Sequence, residues 1–354
     1  MNTQTLTDVH DEASRERQMR REEAAQGALL LGLGVGAQVL AQGALTLLPR
    51  ALNASWWAVL LQLIPLTALW TLGRGAQGAG RRYRAAAAGM ALLFLTDMAA
   101  DLFSLTELAH VFLAPQAPRW TLALGAAGAA ALAAPGRGQG VPRAARFLRW
   151  FLLAGLAFCI CTVLPTGEAG FLYPLAGWGA GHTLRCALPM TGAVWSAAAL
   201  PFLPAGREHA AALAPAARCT VLAGVFFFAC AYVLPATALS AGGGFAMRLQ
   251  LLMEMSPHTL SWSLMLLSEV FLFLTALAGA GSFLQACLRR ALGGMRAPVW
   301  PFLLACLPPA VLGTPAGSGL LMAVLPWRGL AAAALLGIAR WGGKGGKPCA
   351  RRRG

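Results

Sequence analysis

The stretch GALLLGLGVGAQVLAQGALTLL (27–48) determines the fold class of this chain. It contains no charged side chain, and it is as long as the run of about 20 apolar residues that an α-helix needs to cross a bilayer. The segment before it, residues 1–26, is polar and mixed in charge. The apolar run is too long for the hydrophobic region of a signal peptide, and no small-residue cleavage site closes it. We therefore predict a transmembrane helix that stays in the mature protein.

The composition of the whole chain agrees with this interpretation. Hydrophobic residues make up 58% of the sequence and charged residues only 12%, whereas a soluble domain is about a quarter charged. The formal net charge of +15 is compatible with nucleic-acid binding. The basic residues, however, lie in short gaps between apolar runs, which is the membrane pattern. We predict that the lipid bilayer surrounds this chain and that nucleic acid is not a partner.

Further apolar runs of similar length follow along the sequence. Read in order, they predict about ten transmembrane helices, which are called spans one to ten below. The predicted spans cover residues 27–48, 55–73, 86–113, 119–134, 146–164, 184–203, 217–238, 262–288, 298–313 and 319–340.

The distribution of basic residues supports both the number of spans and their orientation. With a cytoplasmic N-terminus and ten spans, 23 of the 28 Lys and Arg residues fall in cytoplasmic segments, as the excess of basic residues in cytoplasmic loops requires. We predict a cytoplasmic N-terminal segment (1–26), a transmembrane domain (27–340) and a basic cytoplasmic tail (341–354). The five exceptions are Arg50, Arg119, Arg185, Arg248 and Arg328.

Ten spans divide into two sets of five, and Gly or Pro interrupts the first span of each set. Many transporters consist of inverted repeats whose paired broken helices bind the substrate near the midplane. We therefore predict an all-α polytopic membrane protein, with a five-plus-five inverted repeat in which helices one and six are broken. Close helix packing through small residues is the alternative explanation. The predicted ligand-binding residues are Gly34, Gly36, Gly43, Pro189, Thr191 and Gly192.

Acidic residues inside the predicted spans are candidates for a proton or cation relay. Asp97 and Asp101 in span three are four residues apart and share one helix face. Two carboxylates this close in a low dielectric should not both stay ionised. Together with Glu269 of span eight they form the predicted relay, because ionisable residues within the membrane are costly and usually functional. The alternative is a polar helix face packed on another helix. Arg185, at the start of span six, is a possible ion-pair partner for one of these acids.

The sequence contains no motif for catalysis or for a cofactor. It lacks a Gly-rich phosphate loop with Lys, an H-E-x-x-H motif and a G-x-S-x-G motif. Most of the eight cysteines fall inside apolar runs, and none forms a C-x-x-C pair. We predict that the chain is not an enzyme, holds no metal and needs no cofactor.

Three stretches resemble the spore germination permeases, the membrane-embedded B subunits of spore germinant receptors in the amino acid–polyamine–organocation transporter superfamily. The first two are similar to that family's opening helix with its L-P-R end and to its fifth-to-sixth connection. The third is similar to an outer amphipathic segment followed by a long eighth helix. The stretches are GVGAQVLAQGALTLLPRALNASWWAVLLQ (34–62), LPTGEAGFLYPLAGWGAGHTLRCALPMTGAVWSAAALPFLP (164–204) and the run from Leu249 to residue 294.

The resemblance implies a broken-helix inverted-repeat fold that binds a small nutrient, such as an amino acid, near the breaks in spans one and six. It also implies an A-type membrane subunit and a C-type lipoprotein as partners, in the inner membrane of a spore. Binding would then signal germination. An amino-acid or organic-cation transporter of the same fold is the first alternative function. A membrane scaffold without a ligand is the second.

Overall fold

The computed structural model describes residues 3–74, 76, 80–133, 140–175, 177–203, 213–240, 244–255, 259–292, 300 and 323–343. Within these residues the chain is helical and contains no β-strand. The α-helices, numbered in chain order, are α1 (Thr3–Gln42), α2 (Leu48–Ala51), α3 (Ser55–Leu60), α4 (Leu63–Arg74), α5 (Arg81–Leu108), α6 (Arg119–Ala133), α7 (Gly140–Val163), α8 (Ala180–Ala187), α9 (Leu213–Val233), α10 (Ala236–Ser240), α11 (Phe245–Glu254), α12 (Thr259–Leu292) and α13 (Arg328–Gly343).

Several of these helices are long and apolar enough to cross a membrane, which makes the chain a multi-pass membrane protein. They belong to predicted spans one, three, five, seven and eight, and the first of them continues into span two. The described part of the chain contains five such segments, Ala24–Leu60, Arg81–Leu113, Ala145–Thr166, Leu213–Val233 and Ser263–Leu292. The prediction of a helical polytopic membrane protein is confirmed.

Other predicted features are not tested by these helices. The ninth predicted span (298–313) lies outside the described residues except for residue 300, as does most of the predicted tail (341–354). The segment 1–26 leads into span one without a break, because α1 already begins at Thr3. The inverted repeat and the orientation of the termini stay predictions.

The helices α5 and α12 pack against each other along most of their length. The Nη1 atom of Arg290 donates a hydrogen bond of 3.0 Å to the Tyr83 hydroxyl. Further along, the rings of Phe94 and Phe283 lie 5.6 Å apart. Residue numbers rise along α5 while they fall along α12, so the two helices run antiparallel. This pair forms the centre of the helical assembly and carries all three acids of the predicted relay.

Glycines let α1 approach α9 closely. A Cβ atom on Gly32 would lie 2.8 Å from Pro215, and one on Gly36 would lie 3.0 Å from the Cβ atom of Cys219. Distances of this size leave no room for a side chain without movement of a neighbour. At Gly32 and Gly36 the structure therefore has the close helix packing that was the alternative explanation for the glycines.

Span one is regular until Gln42 and changes its geometry there. The α-helix is unbroken at Gly34 and Gly36, and it gives way to a π-helix from Gly43 to Leu47. Such short π segments inside helices occur frequently at functional sites. The helix turns out of its axis at Leu52, which has a positive φ of 49°. The interruption of span one thus lies nearer its C-terminal end than the glycine pattern indicated.

Span six is α-helical only at its start. The α-helix α8 ends at Ala187, and two 3₁₀ helices follow, Leu188–Ala193 and Trp195–Phe202. Proline contributes to this change, because it lacks the N–H group that an α-helical hydrogen bond requires, and Pro189 lies two residues after the end of α8. Backbone groups freed in this way need partners from elsewhere in the protein, because lipid offers none.

Candidate functional site

Six buried polar residues meet where spans one, three, six and ten come together, and they form what is called the central cluster below. Each of these residues is at most 4% exposed. Polar groups at this depth remain stable only when other polar groups satisfy them. The members of the central cluster are Gln38, Gln42, Asp97, Asp101, Trp195 and Arg328.

Arg328 is the positive charge of the central cluster and the first residue of α13. Its Nη1 atom forms an ion pair with Oδ1 of Asp97. Its Nη2 atom donates to the Oε1 atoms of Gln38 (2.9 Å) and Gln42 (3.3 Å), and its Nε atom donates to the carbonyl of Leu325 (3.3 Å). A cation at a helix N-terminus faces the positive end of the helix dipole, so these acceptors offset an otherwise unfavourable position.

The two acids of the central cluster have different partners. The Oδ1 atom of Asp97 accepts a hydrogen bond of 2.9 Å from the indole Nε1 of Trp195, in addition to the bond from Arg328. Asp101 accepts a short bond of 2.6 Å from Nε2 of Gln38. Asp97 is therefore held by a charged donor and an indole, whereas Asp101 is held by a neutral amide.

The side chain of Gln38 separates the guanidinium from the second acid. Its amide oxygen faces Arg328, while its nitrogen donates to Asp101 and also, at 3.2 Å, to the backbone carbonyl of Asp97. These partners fix which end of the amide is oxygen. Gln38 thus links the guanidinium of Arg328 to Asp101 and to the backbone of Asp97 through hydrogen bonds.

Two glutamines connect the irregular part of span six to its neighbours. The Nε2 atom of Gln42 donates to the carbonyl of Pro189 at 2.9 Å, and Nε2 of Gln62 donates to the carbonyl of Ala187 at 2.9 Å. Both carbonyls lie where the α-helical hydrogen bonding of span six ends. Because Gln42 also accepts a bond from Arg328, the break in span six is linked to the ion pair through one side chain.

The break in span six also lies against the start of span ten, with backbone next to backbone. A Cβ atom on Gly192 would collide with the carbonyl oxygen of Leu325, and one on Gly329 would lie 2.8 Å from the carbonyl oxygen of Thr191. Glycine on both sides makes this approach possible. A movement of span six at this point therefore has to move the segment that carries Arg328.

The predicted site residues fall in three places. Asp97 and Asp101 belong to the central cluster, which Pro189 joins through its carbonyl, and Thr191 and Gly192 lie beside it against span ten. Gly36 and Gly43 face α9, whereas a Cβ atom on Gly34 would meet nothing within 4 Å. Their roles in ligand binding stay predictions. Arg185 is exposed, and Asp97 pairs with Arg328 instead.

Glu269 is buried away from the central cluster. Its side chain is 6% exposed, and its Oε2 atom has no hydrogen-bond partner among the described residues. The two contacts between α5 and α12 place Glu269 between the levels of Ser104 and Leu108, roughly 5–10 Å along the helix axis from Asp101 at 1.5 Å per residue. Among the described residues, the Oε2 atom of Glu269 forms no hydrogen bond to either acid of span three.

Four members of the central cluster were missed by the sequence analysis. Arg328 was counted only as one of the five basic residues outside the cytoplasmic segments, although it falls within the predicted tenth span, where an ionisable residue is a functional candidate by default. Gln38 and Gln42 are four residues apart in an otherwise apolar run, which places both on one helix face. Trp195 had no distinguishing signal. The four-residue spacing of the two glutamines and the position of Arg328 inside a predicted span were the sequence features that could have identified these residues.

The comparisons with known proteins concern the fold alone. No protein-family profile matches the sequence, and no curated protein matches it either. Three mutant crystal structures of a manganese transporter from Eremococcus coleocola are similar, each with a TM-score of 0.56. The sequence identities are 13%, 12% and 14%, and each match covers 91% of this chain and 76% of the transporter. The chain thus shares the helical fold of these membrane-protein structures.

Proposed function

We propose that this chain is the membrane-embedded B subunit of a spore germinant receptor, and that it binds a zwitterionic nutrient of the amino-acid class. Its site is in the spore inner membrane, its termini are cytoplasmic, and its partners are an A-type membrane subunit and a C-type lipoprotein. The resemblance of residues 34–62 and 164–204 to the germination permeases supports the receptor role. The buried ion pair between Asp97 and Arg328 is the observation that supports the ligand class.

An ion pair buried between several helices is suited to a ligand that carries both charges. A zwitterion that enters the central cluster offers a carboxylate to Arg328 and an ammonium group to Asp97. The site then holds the same net charge before and after binding. An anion or a cation would leave one protein charge without a partner in a low dielectric, which costs several kcal/mol or more. The charge balance therefore favours zwitterions over singly charged solutes.

The break in span six supplies the remaining contacts in this proposal. The backbone around Pro189, Thr191 and Gly192 no longer has the hydrogen bonds of an α-helix and can bind the rest of the solute, as in other broken-helix sites. On span one the matching element is the segment around Gly43, which begins the π-helix. Gly34, with open space beside it, can admit the solute's side chain.

Ligand binding gives this site a way to signal. The Arg328–Asp97 pair joins span ten to span three, and a solute that takes either charge loosens that connection. Binding then shifts the population towards a conformation in which the two spans are further apart, by as much as the solute's affinities for the two conformations differ. The A-type subunit would detect the change, with no need for net transport.

Manganese is not the ligand that these residues favour. Mn²⁺ prefers carboxylate, carbonyl and water ligands, and the guanidinium of Arg328 already occupies Asp97. Among the described residues no group of three His, Cys, Asp or Glu side chains is arranged to hold a metal ion. The likeness to the manganese transporter therefore concerns the fold and does not extend to the ligand.

An amino-acid or organic-cation transporter is the second candidate, because the shared fold serves transport in the similar structures. Purified protein, assayed in detergent and in sealed vesicles, separates the two. For the receptor we expect zwitterionic amino acids to raise the unfolding midpoint without uptake into vesicles. A ligand at a hundredfold excess over its dissociation constant stabilises by about 2.7 kcal/mol.

The same assay can contradict the proposal. Uptake of the stabilising solute would support the transporter instead. Stabilisation by no amino acid, sugar or nucleoside, in folded protein purified with its partner subunits, would support the scaffold.

A further inference from the structure

We propose that Asp101 is a proton-binding site with a role distinct from that of Asp97. Asp97 is the counterion of Arg328 in the solute-free protein, and Asp101 carries a proton that leaves only when a second positive charge reaches it. This inference does not require a solute, so it can be tested independently of the proposed function.

The charges of the central cluster do not balance without such a proton. Asp97 and Asp101 are two carboxylates, and Arg328 is the guanidinium that pairs with one of them. If both acids were ionised, the cluster would hold one negative charge too many, at a position where the side chain of Asp101 is 1% exposed. An uncompensated charge buried this deeply is costly enough that the group neutralises instead.

The hydrogen bonds decide which acid takes the proton. Asp97 accepts from a charged guanidinium and from the indole of Trp195. Among the described residues, the Asp101 carboxyl group accepts only from the neutral amide of Gln38, at 2.6 Å. Bonds from charged donors are roughly twice as strong as those between neutral groups. The ionised form is therefore stabilised on Asp97, and the proton resides on Asp101.

The charged groups of the helices around α5 do not alter this assignment. On α6, Arg119 pairs with Glu107 at 3.1 Å, and on α12, Arg290 bonds to the hydroxyl of Tyr83 near the other end of α5. Arg248 of α11 donates to the carbonyl of Ala238. Arg340 of α13 is exposed. Glu269 of α12 lies roughly 5–10 Å along the axis from Asp101 at 1.5 Å per residue, and its Oε2 atom forms no hydrogen bond among the described residues.

A metal cation in place of the proton fits the contacts less well. The group that faces Asp101 is the N–H of Gln38, a donor that would repel a cation. Hard cations require several oxygen ligands around them. Within the described part of the chain, Gln38 is the hydrogen-bond partner of the Asp101 carboxyl group, and no second oxygen ligand is bonded there. A proton needs only one of the two carboxyl oxygens.

One consequence rests on the proposed function. A zwitterion brings no net charge, because its carboxylate binds Arg328 while its ammonium group binds Asp97. Binding should then leave the proton on Asp101, and the heat of binding should not depend on the ionisation enthalpy of the buffer. Such a dependence in protein that binds the solute would show that Asp101 releases its proton to take the ammonium group, and would contradict the separate roles of the two acids.

Infrared spectroscopy tests the proton directly and without a solute. A protonated carboxyl group has a C=O stretching band that a carboxylate lacks. In wild-type protein at neutral pH in potassium salts we expect such absorption from Asp101, and Asp101→Asn should remove this part. Glu269, whose Oε2 atom has no partner among the described residues, should add a separate contribution that only Glu269→Gln removes. Asn keeps the oxygen that Gln38 contacts and resembles the protonated acid in shape. If Asp101→Asn does not fold, Asp101→Glu keeps a protonable group and should shift the same band.

Three results would overturn the proposal. One is the absence of any protonated carboxyl band in wild-type protein. Another is protonated carboxyl absorption that is undiminished in folded Asp101→Asn and is lost completely in Glu269→Gln, which would assign the only proton to α12. The last is loss of the wild-type band when sodium replaces potassium, which would assign the positive charge to a bound metal cation.

Discussion

The helices α5 and α12 bury acidic groups in opposite ways. On α5, Asp97 and Asp101 bond to partners from α1, span six and span ten. On α12, Glu269 is buried to a similar extent, but its Oε2 atom has no hydrogen-bond partner among the described residues. One helix thus contributes its acids to a network that joins four spans, while the other keeps an acid in an apolar contact surface.

The difference teaches what a buried acid does in this protein. Removing one member of a satisfied network leaves the others buried without partners, and that is where most of the energetic cost of such a substitution arises. Removing an acid that has few partners leaves no other buried group without a hydrogen-bond partner. The loss of stability on substitution of a buried acid should therefore depend on how many spans contribute hydrogen-bond partners to that acid. It should not depend on how deeply the acid is buried.

The largest effect is expected for Asp97→Leu. This change leaves the guanidinium of Arg328 buried without its counterion, and breaking a buried pair on one side costs about 3–5 kcal/mol. We expect low yield and a strongly lowered unfolding midpoint of the purified protein in detergent. The control is the double variant Asp97→Leu/Arg328→Met, which removes both charges and should regain much of the loss. A double variant as unstable as the single one would show that the pair is not the reason.

A smaller effect is expected for Gln42→Met. The substitution keeps the length of the side chain but leaves the carbonyl of Pro189 and one N–H group of Arg328 without a partner. A buried group in that state costs about 1–3 kcal/mol. The matched control is Thr67→Val, because the Thr67 hydroxyl is exposed and bonds only to its own helix. Unfolding midpoints that change equally in the two variants would contradict the link between spans one and six.

The contact between spans six and ten can be tested with Gly192→Ala. The added methyl group would collide with the carbonyl of Leu325, and overpacking of this kind costs about 1–3 kcal/mol. Gly337→Ala on α13 is the control, because its Cβ atom would meet nothing within 4 Å and alanine favours the helix by up to about 1 kcal/mol. Thermal unfolding should move in opposite directions for the two variants. Movement in the same direction would count against the close contact.

The smallest effect is expected for Glu269→Met. Replacing a poorly partnered buried acid by an apolar side chain of similar length removes a desolvation cost and strands no partner. We expect the unfolding midpoint to stay the same or to rise. A loss as large as that of Asp97→Leu would mean that Glu269 has partners beyond the described residues, and the contrast between α5 and α12 would not hold.

The sequence predicted the features that depend on local composition. Apolar length predicted the membrane-length helices of spans one, three, five, seven and eight, and the spacing of Asp97 and Asp101 predicted that they share a face. The ion pair was not predictable in this way, because Arg328 lies 231 residues from Asp97 and only the packing of span ten brings them together. The glycines of span one were ambiguous, because the same residue serves a broken helix and close packing. At Gly36 the packing against Cys219 is what the fold uses.

Ligand-dependent stabilisation of the double variant Asp97→Leu/Arg328→Met tests the central claim most directly. The variant should fold, because it removes both charges together, and it should lose the shift in unfolding midpoint that zwitterionic amino acids give the wild-type protein. The account predicts no shift with any amino acid that stabilises the wild type. An undiminished shift in the folded variant would contradict it, because the solute would then bind without the ion pair.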